Sequence, residues 1–526
     1  MLTAVFNEIK ASSKGENIFY FGLFLMGVGL PTSRFLMSIS YIFLGLGWLL
    51  QSKRVERLKS FFSFNSALFL SSIFLLHIVS LLWTEDFVYA WKDIRVKIPM
   101  LFFPFLLYTM PRLNKEKWNM LINCFILSVV ITSTASLVNY LAYKNGWRDG
   151  QITDVRDAFL FISHIRLALM ISLSSIWLIF KGKELAWHIG FRLIVISFFL
   201  FFLFYMQALS GLVSFLICLF VIMIYRFKQI SKIAFSMATS ILILAIVYLG
   251  IIVRQEYNLT FVLSDSSINT PQELSFDKAP LSHFKQSKSS ENGFLLGINV
   301  QEGELRTEWN KRSNFDYDGI DLNNNKIKHT LKRYITSQGI IKDGKAVRDL
   351  KKEEILAIES GIPNHRYLEV NPFEKRINQI MYELKNHLDG GNPDGHSLAQ
   401  RFVYLQTGWQ IWKENQVIGT GVGDVNQSFL DMYEKNDSRL SEKRRLRAHN
   451  QILTWLITFG LLGFLYILFV WIHPVMFTGN GKSLFYISFF VIFLISCMNE
   501  DTIETQAGLS FYAFFSSYIL FSKKSK

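Results

Sequence analysis

The sequence predicts an all-α polytopic membrane protein of about twelve transmembrane helices, with a large, mostly helical loop between the ninth and tenth. Three observations carry this. Of 526 residues, 51% are hydrophobic and only 18% charged, with 49 Phe and 12 Trp. The apolar residues come in solid blocks long enough to cross a ~30 Å hydrocarbon core. Those blocks lack the dyad alternation of a transmembrane barrel.

Taken in order, the blocks lie near 18–33, 35–50, 66–83, 97–110, 118–142, 158–180, 187–206, 208–226 and 232–252, then 450–476, 483–499 and 507–522. The fourth is short and contains Pro99 and Pro104, which predicts a kink or tilt. The seventh and eighth nearly touch and must turn tightly within 207–211. The start of the chain is polar over 7–16 and no small-residue cleavage site follows the first block, so no cleavable signal peptide is expected. Three divisions follow: 1–252 with nine helices, the 253–449 loop domain, and 450–526 with three helices.

The net charge of +14 is distributed as a membrane protein distributes it, which argues against a nucleic-acid partner. With the N-terminus in the cytoplasm, the inside loops hold Lys53, Arg54, Arg57 and Lys59, then Arg112, Lys115 and Lys117, then Lys181 and Lys183, then Arg226, Lys228 and Lys232, and the 523–526 tail. The acidic Glu500, Asp501 and Glu504 fall outside, as does the 253–449 loop. In a bacterial inner membrane that side is the periplasm. Cys124, Cys218 and Cys497 all sit in apolar blocks, so neither a disulfide framework nor a cysteine metal site is available.

The loop is too long for a simple connection. Asp316, Asp318, Gly319, Asp321 and Asn323 suggest a metal loop but lack the order and terminal Glu of an EF-hand, so a turn is the preferred reading. The pattern turns helical over 327–388 and breaks at 389–395. Over 400–415, Phe402, Leu405, Trp409 and Trp412 share one helical face.

Charges at membrane depth are costly and therefore candidates for chemistry. Arg166 is placed about two turns into the sixth block, where a polar cavity is favoured over interfacial snorkelling. Arg95 and Lys97 open the fourth block from the same side; interface anchoring explains them equally well. Arg401 lies on a loop helix approaching the membrane. Gly419, Gly421 and Gly423, before Asp424, follow no strand, so a tight turn with close backbone approach is preferred to phosphate cradling. His449 starts the tenth block beside Asn450, a helix cap by type. Spacing alone leaves His449 an interfacial histidine; its ordinary pKa also suits proton transfer near neutrality.

At these residues the chain resembles the O-antigen ligase and O-antigen polymerase superfamily of bacterial inner-membrane glycosyltransferases. The resemblance runs through Arg401, Trp409, Trp412, the Gly419–Asp424 turn, His449, Asn450, Gly460 and Gly463, and extends to 498–508 as in the ligase-like branch with a long loop. One departure is that Ala208-Leu209-Ser210-Gly211 stands where many members carry Ser-Arg-Gly, so no donor contact is assigned there.

The resemblance implies transfer of a glycan from undecaprenyl diphosphate to a sugar hydroxyl of lipid A–core, with a repeat-unit polymerase or protein O-oligosaccharyltransferase as alternatives. It implies His449 and Arg401 as catalytic residues. Arg166, Arg401, Arg95 and Lys97 would bind the donor diphosphate, because cations neutralise a leaving diphosphate. His164, Gly421, Gly423, Asp424, Asn450 and Glu500 would support them. Inversion at the anomeric carbon is implied, and no metal or cofactor is expected.

Overall fold

The computed structural model describes residues 13–63, 65–145, 147, 155–229, 231–284 and 289–522. The first twelve residues and the 523–526 tail, used above for the signal-peptide and orientation expectations, lie outside the described residues. The chain divides into two compact units: Met1–Asn145, Ala158–Ser236 and Arg401–Lys526 form one, and Gly146–Asp157 with Met237–Gln400 the other.

The first unit opens with α1 (Lys14–Thr32), α2 (Arg34–Leu49), α3 (Arg54–Phe61), α4 (Ser66–Val79), α5 (Phe87–Lys97) and α6 (Pro99–Thr109). It continues through α7 (Lys115–Lys144), α8 (His164–Lys181), α9 (Ile189–Tyr205) and α10 (Leu209–Tyr225). Helix α11 (Lys232–Phe261) leads into the second unit. That unit holds the strands β1 (Ser290–Glu291) and β2 (Phe294–Leu295), then α12 (Glu302–Arg312), α13 (Ile327–Ser337), α14 (Gly344–Asp349), α15 (Lys352–Glu359) and α16 (Pro372–Leu388). Helix α17 (Ser397–Glu414) returns to the first unit, followed by α18 (Val425–Lys435), α19 (Gln451–Phe477), α20 (Leu484–Asn499) and α21 (Gln506–Phe521).

Every apolar block of the sequence is occupied by a helix, so the protein is all-α with many apolar helices. Among the described residues, five helices are long and apolar enough to span a membrane: Ser66–Trp83, Lys115–Lys144, His164–Lys181, Phe235–Phe261 and Gln451–Phe477. Counting α2 and α3, bent by 114°, as one span makes up to six. Helices such as α9, α10 and α20 are apolar but shorter. At ~1.5 Å per residue they fall short of a ~30 Å core, so length alone does not carry the expected twelve crossings.

Two boundaries differ from the sequence reading. Helix α8 begins at His164 behind the N-cap position Ser163, so Arg166 stands in its first turn, not two turns deep. Helix α11 runs on to Phe261, past the expected end at 252. The tight turn between the seventh and eighth blocks is present, with Gln207 at φ 54°.

Side-chain caps set many of the starts. Asn65 accepts from the Ala67 and Leu68 amides, Asp86 from Tyr89 and Asn114 from Lys117. Small residues then let helices approach. A Cβ on Gly47 would meet the Phe19 backbone at 2.6 Å, and one on Gly211 would meet Ala168 Cβ at 2.7 Å. Between α8 and α20, Trp177 Nε1 donates to Ser488 Oγ at 2.9 Å.

Helix α19 is broken at Gly460, with φ 62° and ψ −169°, a region open essentially to glycine alone. The chain before the glycine turn fills the break. The Leu461 amide donates to Gln416 O at 2.8 Å, and the Thr420 and Gly421 amides donate to Ile457 O and Thr458 O at 2.8 and 3.0 Å. A Cβ on Gly460 would meet the Val417 carbonyl at 2.2 Å, and one on Gly419 the Thr458 backbone at 2.4 Å. We expect Gly460→Ala to cost at least ~1–3 kcal/mol from backbone strain alone. A lowered unfolding midpoint in detergent micelles checks this, and an unchanged midpoint refutes it.

The second unit has its own core of Trp309, Tyr317, Leu331, Tyr334, Ile335 and Ile358. The suspected metal loop is a turn. Asp321 Oδ1 accepts from the Asn323 and Asn325 amides at 2.9 Å each, and Thr330 Oγ1 donates to Asp321 Oδ2 at 2.7 Å. Asp318 pairs with Arg306 and lies 3.5 Å from Lys328 Nζ. These carboxylates are committed to local structure.

Candidate active site

The loop between α20 and α21, residues 500–505, is the hub of the charged residues. Its carboxylates reach into the loop before α19 and onto α5 and α17. Glu500 bridges two of the expected site residues: Arg401 Nη2 donates to its Oε1 at 2.8 Å, and His449 Nδ1 lies 3.4 Å from its Oε2. Arg166 Nη2 donates to Thr505 Oγ1 at 2.7 Å, and the Arg166 charge helps hold the Glu500 carboxyl down. Thus Arg401 and His449 meet on one carboxylate, and Arg166, from far earlier in the chain, stands within its electrostatic range.

His449 is held from several sides. Its backbone is left-handed, φ 48°, uncommon for a non-glycine residue and a form of stored strain. Its amide donates to Asp501 Oδ2 at 3.1 Å, which fixes that conformation. Its ring stacks on Tyr404 with centroids 5.4 Å apart and planes at 26°. Asn450 caps α19 as expected, accepting from the Leu453 amide at 3.0 Å, and its Nδ2 donates to Met498 O at 3.1 Å. The hydrogen bond to Glu500 raises the His449 pKa against the opposing pull of burial, and the charges of Glu500 and Asp501 add to the rise. Burial would raise the Glu500 carboxyl, but the His449 hydrogen bond and the charges of His449, Arg401 and Arg166 bring it below its ordinary value. With Nδ1–H turned to Glu500, Nε2 keeps the lone pair that can take a proton.

A second, more buried cluster lies beside the first. Lys97 Nζ donates to Glu504 Oε2 at 2.6 Å and to Ile503 O at 3.1 Å, and lies 3.6 Å from Asp93 Oδ1. Glu504 also meets Arg447 Nη1 at 3.4 Å and Gln451 Nε2 at 2.9 Å. Burial alone would raise the Glu504 carboxyl; Lys97 and Arg447 overcome it and hold it well below its ordinary value. Asp93 is pushed up to about 6, chiefly by burial. The Asp501 carboxyl is raised by burial, with Thr454 Oγ1 donating to it at 2.6 Å.

This corrects the placing of Arg95 with Lys97 as one donor-binding pair. On α5, positions two apart point to nearly opposite sides. Lys97 is fully buried and its charge is already neutralised, so it is not a free cation for a diphosphate. Arg95 is exposed and lines a cavity of about 510 Å³ with Tyr41, Ile42, Pro99, Phe102 and Gln506.

The remaining expected residues make contacts within the fold. Asp424 accepts from the Glu85 and Asp86 amides at 2.9 and 2.8 Å, ordering the approach to α5. Gly421 and Gly423 let the turn lie against Thr84 and Asp86, where Cβ atoms would come within 2.5 and 2.3 Å. Close backbone approach is therefore their use, as the sequence suggested. His164 sets its ring against Phe159, centroids 5.9 Å apart. On α17, Phe402 and Trp409 lie outward while Tyr404 and Ile411 are buried, so the aromatic face singled out in the sequence is largely exposed.

Sequence reasoning missed Asp501, Glu504, Arg447, Gln451 and Tyr404 as parts of the site. The Glu-Asp-x-x-Glu spacing over 500–504 was the available signal, and only Glu500 was taken from it as a supporting residue. Arg34, which starts α2 within electrostatic range of Arg166, was missed too.

The fold and the cluster together define a helical membrane protein with a histidine–carboxylate–arginine site beside its helix ends. Residues 364–468 match the family described as O-Antigen ligase. That segment contains Arg401, the glycine turn, His449 and the broken start of α19. This partial match supports the O-antigen ligase superfamily, whose members are glycosyltransferase-like enzymes. No curated protein matches the chain.

Proposed function

We propose that the protein transfers a glycan from undecaprenyl diphosphate to a sugar hydroxyl of lipid A–core, as an O-antigen ligase of the bacterial inner membrane. The observation that carries this reading is the meeting of Arg401 and His449 on Glu500, with Arg166 within its electrostatic range. The family match supports the class, and the lysine and arginine bias of the loops supports a periplasmic 253–449 domain between the two sets of membrane helices, 1–252 and 450–526.

In this reading the acceptor hydroxyl oxygen attacks the anomeric carbon as the bond from that carbon to the diphosphate oxygen breaks. The electron pair leaves with undecaprenyl diphosphate, and the hydroxyl proton passes to His449 Nε2. Glu500 orients the imidazole and strengthens it as a base. Single displacement inverts the anomeric carbon. Arg166 and Arg401 stabilise the departing diphosphate, since guanidinium groups stay charged and bind phosphate oxygens through paired hydrogen bonds. Arg95, beside the apolar cavity of α5 and α6, would meet the donor where its prenyl tail enters.

Transfer by purified protein, with lipid-linked glycan and separate lipid A–core and lipid-linked acceptors, tests the function directly. Product on lipid A–core supports the ligase. Product only on the lipid-linked acceptor identifies a repeat-unit polymerase, and loss of sugar from periplasmic proteins in a knockout identifies a protein O-oligosaccharyltransferase. For Arg401, alanine is expected to abolish transfer and lysine to restore only a small part of it. Full activity with lysine would remove paired phosphate recognition from the mechanism.

A further inference from the structure

The second unit contains a groove of about 900 Å³ where the C-terminal end of α11 meets the β1–β2 hairpin and the end of α13. Its size falls in the range of small-molecule sites, ~300–1,000 Å³. The sequence reading gave this region no role.

The lining joins apolar Leu259, Val262, Leu263 and Phe294 to polar groups that carry no unpaired charge. Gln255 and Asn258 stand one turn apart on α11, both exposed and both lining the groove. Gln338 lines it from the end of α13, giving its Nε2 to Glu354 at 2.7 Å and keeping its carboxamide oxygen. His365 holds Ser337 Oγ through Nδ1 at 3.0 Å, and burial lowers its pKa, so the ring is neutral near pH 7. The guanidinium of Arg366 is closed off by Glu256, with both carboxylate oxygens at 2.8 and 3.0 Å. Phe294 supplies a flat apolar face, its ring lying where a Cβ on Gly339 would be only 2.5 Å away.

Carboxamides and a neutral imidazole both donate and accept, which matches hydroxyl groups that do the same. An anionic ligand would need an uncommitted cation, and the arginine in the lining is spent. We propose that this groove binds a neutral stretch of oligosaccharide, holding part of the glycan substrate by its hydroxyls and one sugar face against Phe294. The assignment rests on the glycan-transfer reading for its source of ligand, but binding itself requires no transfer chemistry.

The test uses full-length protein in lipid nanodiscs on a printed array of bacterial glycans. Retention is expected on neutral oligosaccharides, reduced at least tenfold by Gln255→Leu with Asn258→Leu. These two residues are exposed, so the fold should persist, and an unchanged unfolding midpoint confirms it. As a second variant Phe294→Ala should also weaken retention. No retained glycan, retention only of anionic glycans, or retention unaffected by all three changes overturns the proposal. The His449→Ala protein should bind the array normally. If it instead transfers glycan normally, the catalytic reading fails while the array result stands on its own.

Discussion

Replacing His449 with alanine is expected to lower glycan transfer by ~10²–10⁴-fold, the usual contribution of a positioned general base. The protein should still reach the membrane, because the ring is partly exposed and the cap of α19 belongs to Asn450. Normal ligation of lipopolysaccharide by the variant would remove His449 from the mechanism. The pH dependence gives a sharper check. Transfer needs the neutral imidazole, so activity should fall as pH drops through the His449 pKa. Glu500 raises that pKa, chiefly through its hydrogen bond. Glu500→Gln should therefore move the acid limb of the profile to lower pH while lowering the plateau, since the base becomes weaker and less well oriented. A limb that does not move would separate Glu500 from His449.

The same pair links stability to pH, and the signs follow from the two shifts. His449 has a raised folded pKa, so its contribution is complete below the unfolded value and is lost as pH rises through the folded one. Glu500 has a depressed folded pKa, so its contribution is present above the unfolded value and is lost as pH falls through the folded one. The stability gap between wild type and Glu500→Gln should thus be widest between the ordinary carboxyl value and the ordinary imidazole value, and should narrow beyond them on either side.

The second large effect is on folding. Glu504→Ala should destabilise the protein by ~3–5 kcal/mol, because it strands the buried Lys97 without its closest counter-charge. Lys97 is 1% exposed and Glu504 11%, so water cannot take over the carboxylate's role. Arg447 loses a partner in the same change. Glu504→Gln combined with Lys97→Met should recover part of the loss, since the lone buried cation is gone. Unfolding midpoints in detergent micelles read both variants, and a Glu504→Ala midpoint equal to wild type would sink the argument.

These expectations differ in how far the sequence alone reaches them. Gly419, Gly421 and Gly423 suggested a close backbone approach, because glycine leaves no Cβ in the way. Asn450 announced its cap for a similarly local reason. Lys97 could not be read that way. A lysine at the edge of an apolar block anchors equally well at an interface or inside a protein, and its fate depends on Glu504, 407 residues away. Arg166 was placed too deep because apolar residues before His164 imitate a longer helix, whereas the helix begins only after Ser163.

What the sequence determined by itself is the all-α class, the position of the apolar helices, and the family signature around Arg401 and His449. Each of these depends on local composition, spacing or caps. Only the tertiary structure decided which charges meet. It made Glu500 the bridge between Arg401 and His449, and it buried Lys97 against Glu504. It also set the groove of the second unit, whose neutrality comes from Arg366 finding Glu256 110 residues away. The reason is physical: a helix is specified within a few residues, but the partner of a charge is specified by how helices pack.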